Sequence, residues 1–343
     1  MDTFAKQDVV EREIFFREAA VKKGLQAHII EKDFWVCWTL KRLFELDTLK
    51  GRLLFKGGTS LSKVHKAINR FSEDIDLSIQ RESLGFSGDS DPAIPSMSNK
   101  KRTKQIDALA DAARELVNGK AREELTRQIE THLGSEGWSL EKDETDPEGQ
   151  SLAFVYPRTS ITQAPAAYLK PSVKIEFGAR ADHWPAAEHE LTPYLAEALP
   201  EALDEPSVNI KVLDAKRTFW EKATILHQMA HLAGVKKLPA RYSRHYCDLA
   251  SMIESGIGEE AAADEALLAT VVEHKNAFYR SAWASYETAV RGTLRLLPKE
   301  ECIKELDADL KSMTEMFFGQ PPKLDWVIHT LRVWESRFNG DSQ

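Results

Sequence analysis

Residues 53–79 read LLFKGGTSLSKVHKAINRFSEDIDLSI, and the rest of the chain is organised around them. Leu53 to Phe55 form a short apolar run of strand type, followed by the diglycine Gly57–Gly58. Glycine carries no Cβ, so backbone can turn sharply here and a ligand can approach its N–H groups. Thr59 and Ser60 then open a helix predicted to end near Ile68. The first turn of a helix has unpaired N–H donors and the positive dipole end, which together make a seat for phosphate. A second strand carries Asp74 and Asp76. Side chains two apart on a strand share a face, so the two carboxylates stand together while Ile75, Leu77 and Ile79 turn to the core. Adjacent carboxylates repel, and the pair calls for a cation. Oxygen ligands suit Mg²⁺, commonly held by one or two carboxylates plus substrate phosphates, with Mn²⁺ as the alternative.

Neither half of this stretch is specific alone. A diglycine after a strand is usually a tight turn, and Asp-x-Asp at a strand start is often a solvated edge. Their order and close spacing carry the signal, which is that of phosphoryl or nucleotidyl transfer. The stretch fits neither GxxxxGK[ST] nor GxGxxG, and no GxSxG elbow surrounds Ser60.

Working outward, residues 8–22 and 28–46 have helical periodicity, with Ile30, Phe34, Cys37, Trp38 and Phe44 as an apolar stripe. Gly24 separates the two helices. Residues 81–98 turn to Gly, Ser, Asp and Pro and read as a loop. Residues 99–133 return to helix, stopped by Gly134, and EKDETDPEGQ (141–150) reads as a polar loop. Leu152 to Tyr156 and Ser172 to Phe177 read as strands; the second alternates, placing Glu176 on its polar face with Lys174. Residues 181–210, rich in Pro, Ala and Glu, read as a bridge. Beyond about residue 211 only helical patterns occur: 215–233 closed by Gly234, 241–255, and three more through Phe338. The predicted fold is therefore α+β, a mixed sheet with flanking helices plus an all-helical C-terminal domain. The predicted domains are 1–205, with a helical insertion around 99–133, and 206–343.

Composition narrows the class. The chain has 343 residues, 42% hydrophobic and 29% charged, as in ordinary globular proteins. No run of about 18 apolar residues suggests a membrane span. Cys37, Cys247 and Cys302 show no CxxC spacing, which argues against zinc and disulfides and points to a reducing cytoplasm. A net charge of −8 disfavours wholesale nonspecific nucleic-acid binding but leaves room for a local basic groove.

Four further side chains are candidates, each with a plainer alternative. Glu176 is a third acid or a surface carboxylate paired with Lys174 or Arg180. Lys222, in TFWEKATILHQ, is a cation for a triphosphate or a lysine whose stem packs on Phe219 and Leu226. Asp248, in RYSRHYCDLA, is a site residue or the partner of Arg244 at i, i+4. Lys63, like Lys56, flanks the glycine motif, and its alternative is a solvated helix lysine. His227 and His231 are spaced for a metal, but no HExxH surrounds them, and they read as helix surface or polar core.

GGTSLSK (57–63) followed by DIDL (74–77) resembles the glycine–serine and Asp-x-Asp motifs of polymerase-beta-like nucleotidyltransferases. Within that superfamily the chain is most similar to the AbiEii/AbiGii toxins, which include the MenT toxins. EKDFWVCWTLKRLF (31–44) strengthens the match, because that family carries a similar Lys-Asp-aromatic helix. The resemblance spans most of the chain except 81–150. It implies a nucleotidyltransferase toxin of a type IV toxin–antitoxin or abortive-infection, phage-defence system. It also implies transfer of nucleotides from NTP to the 3′ end of tRNA and a cognate antitoxin encoded alongside. Carried over by motif, it implies catalytic roles for Asp74, Asp76, Glu176, Lys222 and Asp248, with Asp74 and Asp76 on the metal. Gly57, Gly58, Thr59, Ser60, Lys63 and Lys222 would bind the nucleotide. A small-molecule nucleotidyltransferase on the same core, or a noncatalytic nucleotide- or RNA-binding module, are the other two possibilities.

Overall fold

A computed structural model of the chain describes residues 1–163, 171–232, 238–281 and 283–340, so Gly234 lies outside the described residues. The fold consists of two compact units. The first comprises Met1–Val64, Ser72–Asp91 and Thr103–Val212, and the second His65–Phe71, Pro92–Arg102 and Leu213–Gln343.

The first unit begins with α1 (Asp2–Ala5), α2 (Val9–Lys23) and α3 (Ala27–Glu45). Asp8 caps α2 by accepting from Val10 N–H, and Gly24 closes it in the left-handed conformation, which glycine adopts without Cβ strain. The sequence suggests a single stripe on α3, yet every residue from Ile29 to Leu43 is buried. A helix buried all round is a core helix. Trp35 stacks on Tyr156 and Trp38 on Phe154, so α3 packs against the sheet through aromatic faces.

The sheet follows: β1 (Leu53–Lys56), α4 (Gly57–Lys63), β2 (Ile75–Ile79), α5 (Asn99–Leu116), α6 (Arg122–Leu133), β3 (Ser139–Lys142), β4 (Ser151–Val155), β5 (Ser172–Gly178), β6 (Ala186–Leu191), α7 (Tyr194–Ala198) and β7 (Val208–Leu213). The strands order as β3-β4-β5-β2-β1-β7-β6 in a mixed sheet. β1 runs antiparallel to β2 and parallel to β7, and β2 runs parallel to β5. The expected alternation on β5 is present, with Val173, Ile175 and Phe177 buried and Lys174 and Glu176 between them.

Several elements differ from the sequence reading. The helix after the diglycine stops at Lys63 rather than near Ile68, because His65–Phe71 leaves to join the second unit and Ile68 is buried there. Residues 99–133 form two helices divided by a wide turn at Val117–Ala121, where Gly119 is non-helical. Glu141 and Lys142, read as loop, lie on β3, an edge strand whose charged residues face water. Residues 181–210 are no bridge: they contribute β6, α7 and β7, two strands of the sheet. β6 reads AAEHEL, too polar to register as a strand by hydrophobic alternation.

The second unit is helical beyond β7: α8 (Ala215–His231), α9 (Ser243–Glu254), α10 (Ile257–Ala262), α11 (Glu265–Phe278), α12 (Ile303–Ser312) and α13 (Leu324–Asn339). Four helices thus follow α9 among the described residues, where the sequence pattern shows three. Asp214 caps α8 through Lys216 N–H. Phe219, Trp220, Trp334 and Phe338 form its aromatic core, Trp334 stacked on Phe338 at 5.0 Å.

Candidate active site

The glycine bend and the two acids meet across β1 and β2. In the ladder Lys56 stands opposite Asp76, so the chain turns at Gly57 beside that carboxylate. Gly57 has φ +82°, and a Cβ placed on it would lie 1.9 Å from Asp76 Oδ2. Only a residue without a side chain leaves room for the acid there. On its other side Asp76 stands opposite Glu176 of the parallel strand β5. Asp74 sits just ahead of β2, and its carbonyl accepts a 2.5 Å hydrogen bond from Thr59 Oγ1, which ties the acid segment to the glycine helix.

The hydroxyls of the motif are turned inward. Ser60 is fully buried and its Oγ donates to the Gly57 carbonyl at 2.9 Å. This hydroxyl pins the bend from beneath, as that of Thr59 does.

Asp74 is a half-buried acid among acids. Burial, then Glu73, Asp76 and Glu176, push its carboxyl up to about 6, with Lys32 opposing. Glu176 is paired with Lys174 at 2.5 Å, and Lys174 also lies 3.4 Å from Asp143. Arg180, the other partner considered for Glu176, pairs instead with Glu148. A polar cleft of about 270 Å³ opens beside Glu176 and Lys174 against the turn around Asp146. Among the described residues no three or more His, Cys, Asp or Glu side chains converge as a ready-made metal cage. Crowded carboxylates without a full protein cage suit a hard cation completed by substrate oxygens. The residues present fit Mg²⁺.

The α3 helix braces this site with buried charges. Lys32 donates to Glu73 at 2.7 Å, and both are buried, immediately before Asp74. Asp33 meets Lys63 at 2.8 Å and accepts from Tyr194 N–H. Glu31 accepts from Thr159 N–H and Oγ1. Lys63 is thus no solvated helix lysine: its ammonium is buried against Asp33 and lies 3.5 Å from the Tyr194 ring centroid, and although burial lowers its pKa, that carboxylate above all turns the net shift upward. Nothing in the sequence around Lys32 or Glu73 announces their pairing, since they are 41 residues apart.

In the second unit α8 and α9 bring Lys222 and Asp248 together at 2.9 Å. Asp248 is also gripped by Arg70 through two bonds of 2.7 and 2.9 Å. The predicted helical pairing of Asp248 with Arg244 is not the one formed; long-range partners win because Asp248 points into the core, 1% exposed. The two cations hold its carboxyl far below the usual range despite burial. Such an acid takes no proton and keeps its cations in place. Arg70 was not singled out by the sequence, because its partner lies 178 residues away. The His227–His231 pair is no metal site: His227 Nε2 lies 3.0 Å from the Ser285 carbonyl, and its Nδ1 accepts from Arg295 N–H. Burial lowers its pKa to about 4.

With this geometry in hand, comparison with known families is decisive. The family model described as nucleotidyl transferase AbiEii toxin, type IV TA system, matches residues 38–330. The chain belongs to that family. It is accordingly a nucleotidyltransferase toxin of the type IV toxin–antitoxin class, as its motifs imply. Among solved structures, the AbiEii-type fold described here is similar to the MenT4 nucleotidyltransferase toxin of Mycobacterium tuberculosis, with a TM-score of 0.44 and 16% identity over 100% of this chain and 90% of that one. Comparison with curated proteins gave no match. No helix among the described residues is long and apolar enough to cross a membrane.

Proposed function

We propose that this AbiEii-family chain transfers nucleotides from an NTP to the 3′ end of tRNA in a divalent-metal-dependent reaction in the cytoplasm. It acts as the toxin of a phage-defence or related toxin–antitoxin pair whose antitoxin is encoded alongside. The observation that supports metal-dependent transfer is the seating of the Asp76 carboxylate against the bare Cα of Gly57, with Glu176 opposite it in the ladder. The tRNA acceptor and the antitoxin rest on likeness to the toxins of this family.

In this reading Asp74 and Asp76 hold Mg²⁺ or Mn²⁺, which when bound neutralises charge on the nucleotide phosphates. The chain's own residues do the rest. Gly57 and Gly58 let phosphate oxygens approach backbone N–H groups, while Thr59 and Ser60 fix the bend with inward hydrogen bonds. Glu176 completes the acid set or polarises the acceptor hydroxyl. Lys222 meets polyphosphate charge, and Asp248 orients it. Lys63 shapes the far end of α4 from within rather than touching the nucleotide. Catalysis is then mainly positioning and electrostatics.

The test is incubation with labelled NTP, Mg²⁺ and total tRNA. Wild type should label tRNA. Folded Asp74→Ala and Asp76→Ala proteins should lose about 100-fold or more, the rate equivalent of a few kcal/mol of charge stabilisation. Full activity in either variant, or no labelling by the wild type under any metal, would refute the proposal.

A further inference from the structure

Lys174 stands among the acids of the first unit. On β5 it shares a face with Glu176, two residues on, and its Nζ lies 2.5 Å from Glu176 Oε1. Glu176 in turn stands opposite Asp76 in the parallel ladder with β2. A second carboxylate flanks the same ammonium: Asp143, just past the end of β3, places Oδ2 at 3.4 Å.

The two partners differ in how firmly they are held. Asp143 Oδ1 accepts from Thr145 N–H at 2.9 Å and from Thr145 Oγ1 at 2.6 Å, and its own N–H donates to the Ser151 carbonyl. That acid is fixed. The Glu176 side chain is 38% exposed and borders the polar cleft of about 270 Å³, so it has room to turn about its side-chain bonds. A part-exposed ion pair adds little to stability, so support of the fold is a weak account of this one. Its place says more. Lys174 is a built-in positive charge on the acid face, and it occupies an oxygen of the acid beside Asp76.

We infer that Lys174 is a positioning residue, a tethered cation that holds Glu176 in the metal-free enzyme and yields it when a divalent cation joins Asp74 and Asp76. The inference rests on the reading that these acids hold a metal. On yielding Glu176, Lys174 keeps Asp143, so the exchange leaves neither charge unpaired. Competition for one carboxylate lowers affinity for the bare ion, and substrate phosphates restore it with oxygens of their own. Lys174 thereby reserves tight metal binding for metal that arrives with NTP.

The experiment is titration with Mn²⁺ alone, without nucleotide, following the free ion by electron paramagnetic resonance. Lys174→Met and Lys174→Gln remove the charge and should bind Mn²⁺ about ten-fold tighter than wild type, while Lys174→Arg should stay within about three-fold of it. Asp143→Asn leaves Lys174 to Glu176 alone and should bind about three-fold weaker. In a Glu176→Gln background the gain from Lys174→Met should shrink to about three-fold or less, because the competition is for that carboxylate. A larger gain there, an Asp143→Asn protein no weaker than wild type, a Lys174→Arg protein as tight as Lys174→Met, or folded charge-removing variants no tighter than wild type overturns the inference and leaves the metal site standing. Absence of Mn²⁺ binding in wild type and in both charge-removing variants sinks the metal site itself, and this inference with it.

Discussion

Replacing Gly57 by alanine tests the site at its tightest point. The backbone there has φ +82°, and a left-handed residue with a Cβ costs about 1–2 kcal/mol in stability. The larger effect is local. The new methyl would fall 1.9 Å from Asp76 Oδ2, 2.6 Å from its Cγ and 2.9 Å from its Cβ. Rotating the carboxylate relieves the first contact but not the last, so the whole side chain must move. Opening 1.9 Å to an ordinary 3.4 Å contact is a retreat of about 1.5 Å. A displacement of about 1 Å at a reacting centre can cost on the order of 100-fold in rate, so Gly57→Ala should lose at least that much tRNA labelling. Gly51→Ala is the control, since it shares a positive φ of +71° yet meets nothing within 4 Å. It should match Gly57→Ala in melting temperature within a few degrees while keeping wild-type rates. If Gly57→Ala labels tRNA within about three-fold of Gly51→Ala, then the closeness of bend and carboxylate does not matter to the reaction.

Three further outcomes follow from the buried charges. Asp74 is raised to about 6 in the folded protein, so its ionisation opposes folding: the stability it allows is fully present below about pH 4 and lost as pH rises through about 6. Without metal, Asp74→Asn should therefore melt several degrees above wild type at pH 7.5 and converge with it near pH 4; parallel curves would contradict the acid crowding. Asp248 has the opposite sign, its folded pKa being depressed, so its contribution holds above about pH 4 and disappears only in strong acid. Asp248→Ala strands two buried cations and should cost about 3–5 kcal/mol by urea unfolding, with Asp248→Ala/Lys222→Met losing less than the sum of the single changes. Lys32→Met strands Glu73 beside Asp74 and should destabilise by a similar amount, partly recovered in Lys32→Met/Glu73→Gln; no recovery would mean the pair is not coupled.

What could be read from the sequence was what has short range. The diglycine, the Asp-x-Asp strand and the alternation of β5 each declare themselves within a few residues, and the structure contains all three. The elements misread were those whose identity depends on neighbours elsewhere. β6 is polar because it lies at the sheet edge, and β3 is charged for the same reason; neither shows the period that a half-buried strand would. α3 shows a stripe by spacing, but its charged residues are also inside, and only their distant partners make that tolerable. The site divides in the same way. Asp74, Asp76 and Glu176 are legible because adjacent strands enforce their proximity, whereas the Lys32–Glu73 and Arg70–Asp248 pairs leave no local trace.

The buried acids of this chain fall into two kinds, and the difference separates scaffold from chemistry. Glu31, Asp33, Glu73 and Asp248 each have dedicated donors at 2.6–3.0 Å: backbone N–H, hydroxyl, lysine or arginine. Each thus has a partner of its own, and each links segments far apart in sequence. Asp74 is different in kind. The groups that act on it most, after burial, are three other carboxylates, and the cations that oppose them, Lys32 and Lys174, are already paired with Glu73 and Glu176. A protein that pairs its acids so consistently elsewhere has the means to pair this one too. An acid crowded by acids, next to an Asp76 for which Gly57 alone leaves room, is the feature that supports the proposed cation site. By the same reasoning, no proton-transfer role should be sought at Asp248: its two cations hold it ionised, and replacing it should be read through Lys222 and Arg70 rather than through a lost base.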